Sequence, residues 1–234
     1  MPPRIVSWGL VDEWTQPLAI METVFWEPDD TASLRQRIRE SDAVHGKRGL
    51  EIGTGSGLLS LCCLQAGARQ MVATDINPQA IQCAAYNAHR LGLANRIELR
   101  QVGLDAPGAF AVIEPTERFD LIVSNPPWED QTPNQIAEFA LYDPNFALLR
   151  SLLAGLRDHL TPTGRAWLAY GNVTGIRTLL AEAPAHGLQS RVLDERSLDT
   201  LPENFLPGML IELVPIVKDP PPAPDTAPTH IIEK

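Results

Sequence analysis

Apolar runs of strand length alternate with helical patterns along most of this chain. The apolar runs end near positions 52, 75, 102 and 124, and between them apolar residues recur every three or four positions. One such helical stripe contains Phe146, Leu149, Leu152, Leu153, Leu156 and Leu160. Strands that alternate with helices in this way predict an α/β fold with a mostly parallel, twisted sheet and helices on both faces.

The 234 residues are enough for a single α/β domain. We predict residues 1–45 to be a lid or extension packed on the core, residues 46–217 to be the main domain, and the proline-rich residues 218–234 to be a disordered tail. A helix is predicted to begin after Asp30 or Thr31, either of which can cap it. Its solvated face is predicted to carry Arg35, Arg37 and Arg39, and the buried face of a later helix Ile81, Ala84, Ala85, Ala88 and Leu91.

The net charge of -10 disfavours long nucleic acid as a partner, because affinity for phosphates needs a basic surface. No apolar run reaches the roughly 18 to 20 residues that cross a bilayer, and the first residues lack an apolar signal core. We therefore expect no membrane partner and a cytoplasmic location. Cys62, Cys63 and Cys83 lack metal-ligand spacing, so we interpret them as buried apolar residues and predict no metal.

A glycine-rich turn lies between a predicted strand and a predicted helix, in the stretch GLEIGTGSGLLS at 49–60. Glu51 ends the strand, and Gly53, Gly55 and Gly57 follow at alternate positions. A sharp turn that carries a ligand on its backbone requires glycine, so this turn predicts a cofactor site. The dinucleotide fingerprint G-x-G-x-x-G fits poorly, because the third glycine comes one residue early. A dinucleotide oxidoreductase is therefore the weakest alternative.

An acid ends the next predicted strand, QMVATD, 22 positions after Gly53. At this spacing the Asp75 carboxylate is suited to accept both hydroxyls of a ribose. Ile76 and Asn77 follow it and lead into the next helix. After the third strand, the adenine contact is predicted near Gly103 and Leu104. Asp105 stands one or two positions late for this role, which favours a backbone contact.

A stiff loop follows the buried strand of FDLIVSNPPW, where Asn125, Pro126, Pro127 and Trp128 come directly after Ser124. Two prolines fix the backbone and cannot continue a strand ladder. The loop therefore displays Asn125 and Trp128 at the carboxyl edge of the sheet, where open α/β sheets bind ligands. The alternative is an ordinary turn in which Trp128 only packs.

Together LEIGTGSG, TDIN and DLIVSNPPW resemble the HemK-like branch of class I S-adenosylmethionine-dependent methyltransferases, over roughly residues 25–175. FWEPDDT also resembles a pocket segment, E-P-x-x-D-T, of the shorter members. The resemblance implies a Rossmann-like seven-stranded fold with S-adenosyl-L-methionine as cofactor. The implied cofactor-binding residues are Thr31, Glu51, Gly53, Thr54, Gly55, Gly57, Asp75, Ile76, Asn77, Gly103, Leu104 and Asn125, and the implied catalytic residues are Asn125, Pro126, Pro127 and Trp128. Trp128 replaces the commoner Tyr or Phe.

The best known members of this branch methylate a glutamine amide in release factors, so we expect N-methylation of a protein glutamine. In such a reaction the Asn125 side-chain oxygen and the Pro126 carbonyl accept N–H groups, and Trp128 stacks on the planar substrate. Two alternatives stay open. One is methylation of an adenine or guanine amine in RNA or DNA, and the other is a non-catalytic cofactor-binding module. A small activating subunit is a further candidate partner.

Overall fold

The structure, a computed structural model, describes residues 4–216. The predicted tail at 218–234 lies outside the described residues. Between residues 4 and 216, no helix combines the length and the apolar character needed to cross a membrane. The three cysteine thiols are buried and free.

Nine strands and five α-helices make up the described chain. In order they are β1 (Ile5–Gly9), β2 (Leu18–Met21), α1 (Ala32–Glu40), β3 (Arg48–Ile52), α2 (Leu58–Gln65), β4 (Gln70–Asp75), α3 (Pro78–Arg90), β5 (Ile97–Gln101), β6 (Phe119–Ser124), α4 (Ala147–His159), β7 (Leu160–Asn172), α5 (Val173–Glu182), β8 (Leu188–Val192) and β9 (Asn204–Pro215). Short 3₁₀ turns connect several of them.

Seven strands form the main sheet, in the order β5-β4-β3-β6-β7-β9-β8. The pairs from β5 to β7 are parallel, and β9 is antiparallel to both of its neighbours. The predicted seven-stranded, mostly parallel sheet is confirmed. From β3 the chain moves outward to β5 and then crosses back to β6 on the other side of β3. The order of strands therefore reverses between β3 and β6, which is where such sheets bind ligands.

The two central strands are buried on both faces. Leu50 and Ile122 belong to the apolar cluster on one face, and Leu121 and Val123 belong to the cluster on the other. Side chains alternate between faces along a strand, so a strand with helices on both sides must be apolar throughout. LIV in β6 follows this rule, and β3 departs from it only at the buried acid Glu51.

The strands β1 and β2 form a separate hairpin that is tied to the main domain by Asn87 of α3. The Asn87 Oδ1 accepts Ala19 N–H at 2.8 Å, and its Nδ2 donates to the carbonyls of Ala19 and Ser56, each at 2.9 Å. The predicted buried face of α3 was partly wrong, because Ala85 is exposed and Asn87 is fully buried. The hairpin supplies backbone partners that make a buried amide favourable there.

The expected solvated face of α1 was also partly wrong. Arg35 is buried, and its partners belong to residues 4–31, which we call the N-terminal segment. It forms an ion pair with Glu13 and donates to the Pro28 carbonyl at 3.2 Å. The guanidinium of Arg37 lies 5.2 Å from the centre of the Trp167 ring. Thr31 occupies the N-cap position of α1, but neither it nor Asp30 makes the predicted side-chain cap.

Candidate active site

Two loops leave the carboxyl edge of the sheet side by side. Ile52 and Ser124 are paired residues at the ends of β3 and β6, and the Ser124 hydroxyl donates to the Ile52 carbonyl at 2.7 Å. Gly53 and Asn125 are the next residues on each strand. Since neighbouring strands lie about 4.8 Å apart, the glycine turn and the Asn-Pro-Pro-Trp loop begin next to each other.

A cavity of about 280 Å³ opens between these loops. Most of the residues that the sequence predicted for the site line it, namely Thr31, Glu51, Gly53, Thr54, Gly55, Asp75, Ile76, Asn77, Asn125 and Pro127. Gly57, Gly103, Leu104, Pro126 and Trp128 are not among the residues that line it.

The glycines of the turn have two different roles. Gly53 has a φ of 75° and Gly55 a φ of 52°. A Cβ at Gly53 would meet no atom within 4 Å, and at Gly55 only the Phe25 carbonyl oxygen at 4.0 Å. At these two positions the backbone conformation requires glycine and leaves the main chain open to the cavity. At Gly57 a Cβ would lie 3.1 Å from the Cβ of Ala84, so this glycine allows α3 to pack closely.

The carboxylate of Glu51 occupies the N-terminus of α2. Its Oε2 accepts hydrogen bonds from the Thr54 hydroxyl at 2.7 Å, from the Ser60 backbone N–H at 3.0 Å and from the Ser60 hydroxyl. Burial raises the pKa of Glu51 to about 7, against the effect of these donors. A dinucleotide would place its pyrophosphate at this helix end. Here an internal carboxylate already takes the N–H that would bind it.

The carboxylate of Asp75 joins the ends of β3 and β4. Its Oδ2 accepts Gly55 N–H and its Oδ1 accepts Asn77 N–H, both at 2.8 Å. Burial raises the pKa of Asp75, and these backbone donors oppose the shift. Each carboxylate oxygen can accept a second hydrogen bond. Asp75 therefore holds the glycine turn and keeps acceptor capacity for a ligand in the cavity.

Asn77 links the start of α3 to Thr23 of the N-terminal segment. Its Oδ1 accepts Gln79 N–H at 2.9 Å and caps α3, while its Nδ2 donates to the Thr23 carbonyl at 2.9 Å. The N-terminal segment is thereby attached beside Asp75. From this segment Trp26, with its neighbours at 23–28, lines the cavity.

Asn125 has an amide oxygen that is buried and lacks a hydrogen-bond partner among the residues that the structure describes. A buried acceptor without a partner is rare in proteins and is explained by a ligand that supplies the donor. The side chain of Asp30, on the turn before α1, is also buried, at 1% exposed. Burial raises the pKa of Asp30 to about 6.

The ring of Trp128 packs against β7. Its centre lies 6.2 Å from the Tyr170 ring, and a Cβ at Gly171 would lie 3.0 Å from the Trp128 indole. The predicted stacking of Trp128 on a substrate therefore has no support from the cavity lining and stays a prediction. The aromatic residues that do line the cavity are Phe25, Trp26, Phe139 and Tyr142.

Residues 133–148, after the Asn-Pro-Pro-Trp loop, form a wall of the cavity. The sequence patterns did not predict this wall. Ile136, Phe139, Tyr142 and Asp143 line it. The Asp143 carboxylate accepts the N–H groups of Leu148 at 2.8 Å and Leu149 at 3.1 Å, at the start of α4. The acid before the predicted helix in YDPNFALL was a recognisable cap signal. Nothing local in the sequence indicated that the segment turns back over the cavity.

On the side of β5 the cavity wall consists of Val102, Pro107 and Gly108. The predicted contacts Gly103 and Leu104 lie outside it. Gly103 packs beside the Asp105 carboxylate, and the Leu104 side chain is 61% exposed. The chain turns away from the cavity directly after Val102 and returns at Pro107.

The charge of the lining distinguishes between ligands. Within the described part of the chain, the cavity-lining residues include the carboxyl groups of Glu27, Glu51, Asp75 and Asp143 but no Lys, Arg or His. A phosphate would meet only acidic neighbours, whereas a sulfonium and an ammonium group are matched by them. The lining thus fits S-adenosyl-L-methionine and does not fit a dinucleotide.

Comparisons with known proteins agree with this geometry. The family model "Ribosomal protein L11 methyltransferase (PrmA)" matches residues 31–126. A release factor glutamine methyltransferase of Cereibacter sphaeroides is 36% identical over 151 residues, which is 59% of this chain and 51% of that protein. Further release factor glutamine methyltransferases match at 28–33% identity. These matches support a class I S-adenosylmethionine-dependent methyltransferase of the HemK-like branch.

Other methyltransferases match as well. A tRNA1(Val) (adenine(37)-N6)-methyltransferase of Shewanella loihica is 34% identical over 127 residues, 53% of this chain and 52% of that protein. The crystal structure of a ribosomal protein L11 methylase from Lactobacillus delbrueckii subsp. bulgaricus superposes with a TM-score of 0.58 at 23% identity, covering 81% of this chain and 79% of that one. The chain spans between half and two thirds of the release factor enzymes' length in the first two matches, at 51% and 64%.

Proposed function

We propose that this HemK-like protein transfers the methyl group of S-adenosyl-L-methionine to the side-chain amide nitrogen of a glutamine in a protein. The observation that carries the proposal is the buried, unpartnered oxygen of Asn125. It belongs to a residue that lines the same cavity as the glycine turn of the neighbouring strand.

The cofactor would be held by residues that already line the cavity. The Asp75 carboxylate would accept hydrogen bonds from the ribose hydroxyls. The open main chain at Gly53 and Gly55 would contact the S-adenosyl-L-methionine molecule. Ile76 and Val102 would flank the adenine. When bound, the cofactor supplies an electrophilic methyl group on a sulfonium.

The Asn-Pro-Pro-Trp loop would prepare the nucleophile. An amide nitrogen is a poor nucleophile because its lone pair is delocalised into the carbonyl. The Asn125 Oδ1 and the Pro126 carbonyl would each accept one N–H of the substrate, which turns the lone pair toward the methyl group. The same acceptors stabilise the positive charge that grows on nitrogen. Proline suits this position because it offers an acceptor without a competing N–H.

The surroundings of the loop favour a protein substrate over nucleic acid. A second, open pocket beside the loop is lined by Glu129, Asp130 and Glu203 together with neutral residues. Carboxylates beside the loop would repel a phosphate backbone. The relatives named as release factor glutamine methyltransferases support the same choice.

A nucleobase amine is the second candidate substrate. Trp26, Phe139 and Tyr142 line the cavity and offer rings on which a flipped base would stack. A relative named as a tRNA adenine methyltransferase supports this candidate. The exocyclic amine of adenine has the same delocalised lone pair as an amide, so the loop would act on it in the same way.

The test uses radiolabelled S-adenosyl-L-methionine and cell extract, which would also supply an activating subunit if one is required. Labelled product is divided and treated with protease or with nuclease. We expect label in protease-sensitive material, lost with Asn125→Ala and retained with Asn134→Ala, a control at an exposed asparagine of the same segment. Label that only nuclease removes would support the nucleobase. Cofactor binding without any transfer would indicate a non-catalytic module and end the proposal.

A further inference from the structure

The ring of Trp128 is engaged in packing within the protein. It lies against Tyr170 and over Gly171 of β7, where a Cβ would come within 3.0 Å of the indole. The lack of a side chain at Gly171 therefore makes room for this large ring. In an amide the nitrogen lone pair is perpendicular to the plane, so the methyl group would approach one face of the substrate. The opposite face is apolar and planar, and an aromatic ring is suited to cover it.

Tyr142 is an aromatic residue of the same cavity and has no role in the methyl transfer described above. It is partly buried, and it lines the cavity together with Asn125 and Pro127 of the Asn-Pro-Pro-Trp loop. A ring that covers the substrate has to lie near both of these residues. Tyr142 meets that requirement by its place in the lining.

The backbone fixes Tyr142 beside the loop. A parallel β-bridge pairs Tyr142 with Glu129, the residue that follows Trp128. The Glu129 N–H donates to the Leu141 carbonyl at 3.0 Å, and the Asp143 N–H donates to the Glu129 carbonyl at 2.8 Å. The Asp143 carboxylate in turn accepts two N–H groups at the start of α4. Tyr142 is therefore held between two anchored neighbours, which is the rigid placement that a stacking residue requires.

The other aromatic residues of the lining are placed differently. Phe25 and Trp26 belong to the N-terminal segment, and the Phe25 carbonyl oxygen lies 4.0 Å from where a Cβ of Gly55 would be, on the side of the glycine turn. Phe139 lies on a 3₁₀ turn, three residues before Tyr142. Of these four lining residues in the described chain, Tyr142 is the one whose backbone pairs with the residues directly after the loop.

Resting on the function proposed above, we propose that the ring of Tyr142 stacks on the planar group that carries the target nitrogen, in the place that the sequence predicts for Trp128. Asn125 and the Pro126 carbonyl would hold the nitrogen by its N–H groups, and Tyr142 would cover the face that lies away from the methyl group. Trp128 instead anchors the loop to β7. Only the ring of Tyr142 is used in this contact, so its hydroxyl is dispensable.

The test compares Tyr142→Leu with Tyr142→Phe in the full chain. Radiolabelled S-adenosyl-L-methionine and serial dilutions of cell extract give, for each variant, the maximal rate of protein labelling and the extract concentration at half that rate. Loss of a stacked ring should raise the half-saturating extract concentration of Tyr142→Leu about 10-fold. Tyr142→Phe keeps the ring and should stay within about 2-fold of wild type. The affinity for S-adenosyl-L-methionine, measured by calorimetry, should be unchanged in both.

Tyr86→Leu is the matched control, because Tyr86 is an exposed tyrosine on α3 and should keep the wild-type values. Trp128→Leu provides the contrast, since loss of its packing on β7 should lower the Tm more than Tyr142→Leu does. If Tyr142→Leu does not fold, Tyr142→Met, which also lacks a ring, takes its place.

The proposal is overturned if Tyr142→Leu keeps the wild-type half-saturating concentration, if Tyr142→Phe is impaired as much as Tyr142→Leu, or if cofactor affinity falls as far as methyl transfer. Absence of transfer by the wild-type chain would instead refute the proposed function and, with it, any substrate for Tyr142 to cover. Label found only in nucleic acid would refute the glutamine target alone, and the same comparison of variants on that label would then decide the role of Tyr142.

Discussion

Most buried polar side chains around the cavity have identifiable partners. Glu51 holds Thr54 and Ser60, Asp75 holds the turn backbone, and Asp143 holds the start of α4. These carboxylates position the loops, and the same contacts supply the hydrogen bonds that a buried carboxylate requires. The amide oxygen of Asn125 differs, because it belongs to a cavity-lining residue and has no hydrogen-bond partner among the described residues.

At Glu51 we predict a pH-dependent stability that Glu51→Gln removes. The pKa of this carboxyl rises from 4.5 in the unfolded chain to about 7 in the folded one. Between these pH values the folded state binds more protons, so the free energy of unfolding decreases as the pH rises from 4.5 to 7. The penalty is on the order of 3 kcal/mol at most and is complete above pH 7.

Urea unfolding at several pH values measures this effect as the difference between wild type and Glu51→Gln. The amide keeps the shape of the side chain but does not titrate. A difference that stays constant from pH 4.5 to 7 would show that folding does not raise the pKa of Glu51, and would refute the prediction.

At the scale of elements, much of the sheet and the two loops at its carboxyl edge could be predicted from local patterns. The strand Gln70–Asp75 was predicted with its final bounds, and the burial of Leu149, Leu152, Leu153 and Leu156 follows the predicted stripe of α4. The burial of Arg35 and Asn87 could not be predicted from local patterns. Each is polar and lies on a helix, and its burial depends on the N-terminal segment, which is far away in sequence.

We predict that Asn87→Ala loosens the hairpin. The change would leave the N–H of Ala19 and the carbonyl of Ser56 without partners in a buried place, and the carbonyl of Ala19 with the Cys83 thiol alone. The expected loss in the free energy of unfolding is on the order of 3 kcal/mol. Denaturant unfolding measures it, with Asn95→Ala, at an exposed asparagine, as the control that should change stability by less than about 0.5 kcal/mol. Equal effects of both variants would contradict the role given to Asn87.

A double-mutant cycle tests the ion pair between Glu13 and Arg35, whose side chains are each 8% exposed. Arg35→Met alone should cost about 3 kcal/mol, because it leaves the buried Glu13 carboxylate with Arg39 alone, 3.7 Å away. Adding Glu13→Leu should recover most of that loss, since two apolar side chains leave no unpaired charge. Purely additive losses would mean that the pair does not hold the N-terminal segment to α1.

At the scale of the whole molecule, the order of strands explains why the two loops meet. The crossover from β5 back to β6 places the glycine turn and Asn125 on adjacent strands, at the point where the strand order reverses. The lining of the cavity is acidic, and many arginines of the described chain are paired with carboxylates, as Arg48 and Arg100 are with Glu117. Both features oppose a large phosphate-bearing partner and agree with the net charge of -10.

Identification of the methylated residue tests the central claim most directly. Polypeptide labelled by the wild-type chain with S-adenosyl-L-methionine is purified and hydrolysed in acid, which splits an N-methylamide into an acid and methylamine but leaves N-methyl lysine and arginine intact. We expect the label to be released as volatile methylamine, and tandem mass spectrometry of the intact peptide to place one methyl group on a glutamine. Label that stays with a basic amino acid, or that is found only on a nucleobase, would contradict the claim that Asn125 presents a glutamine amide.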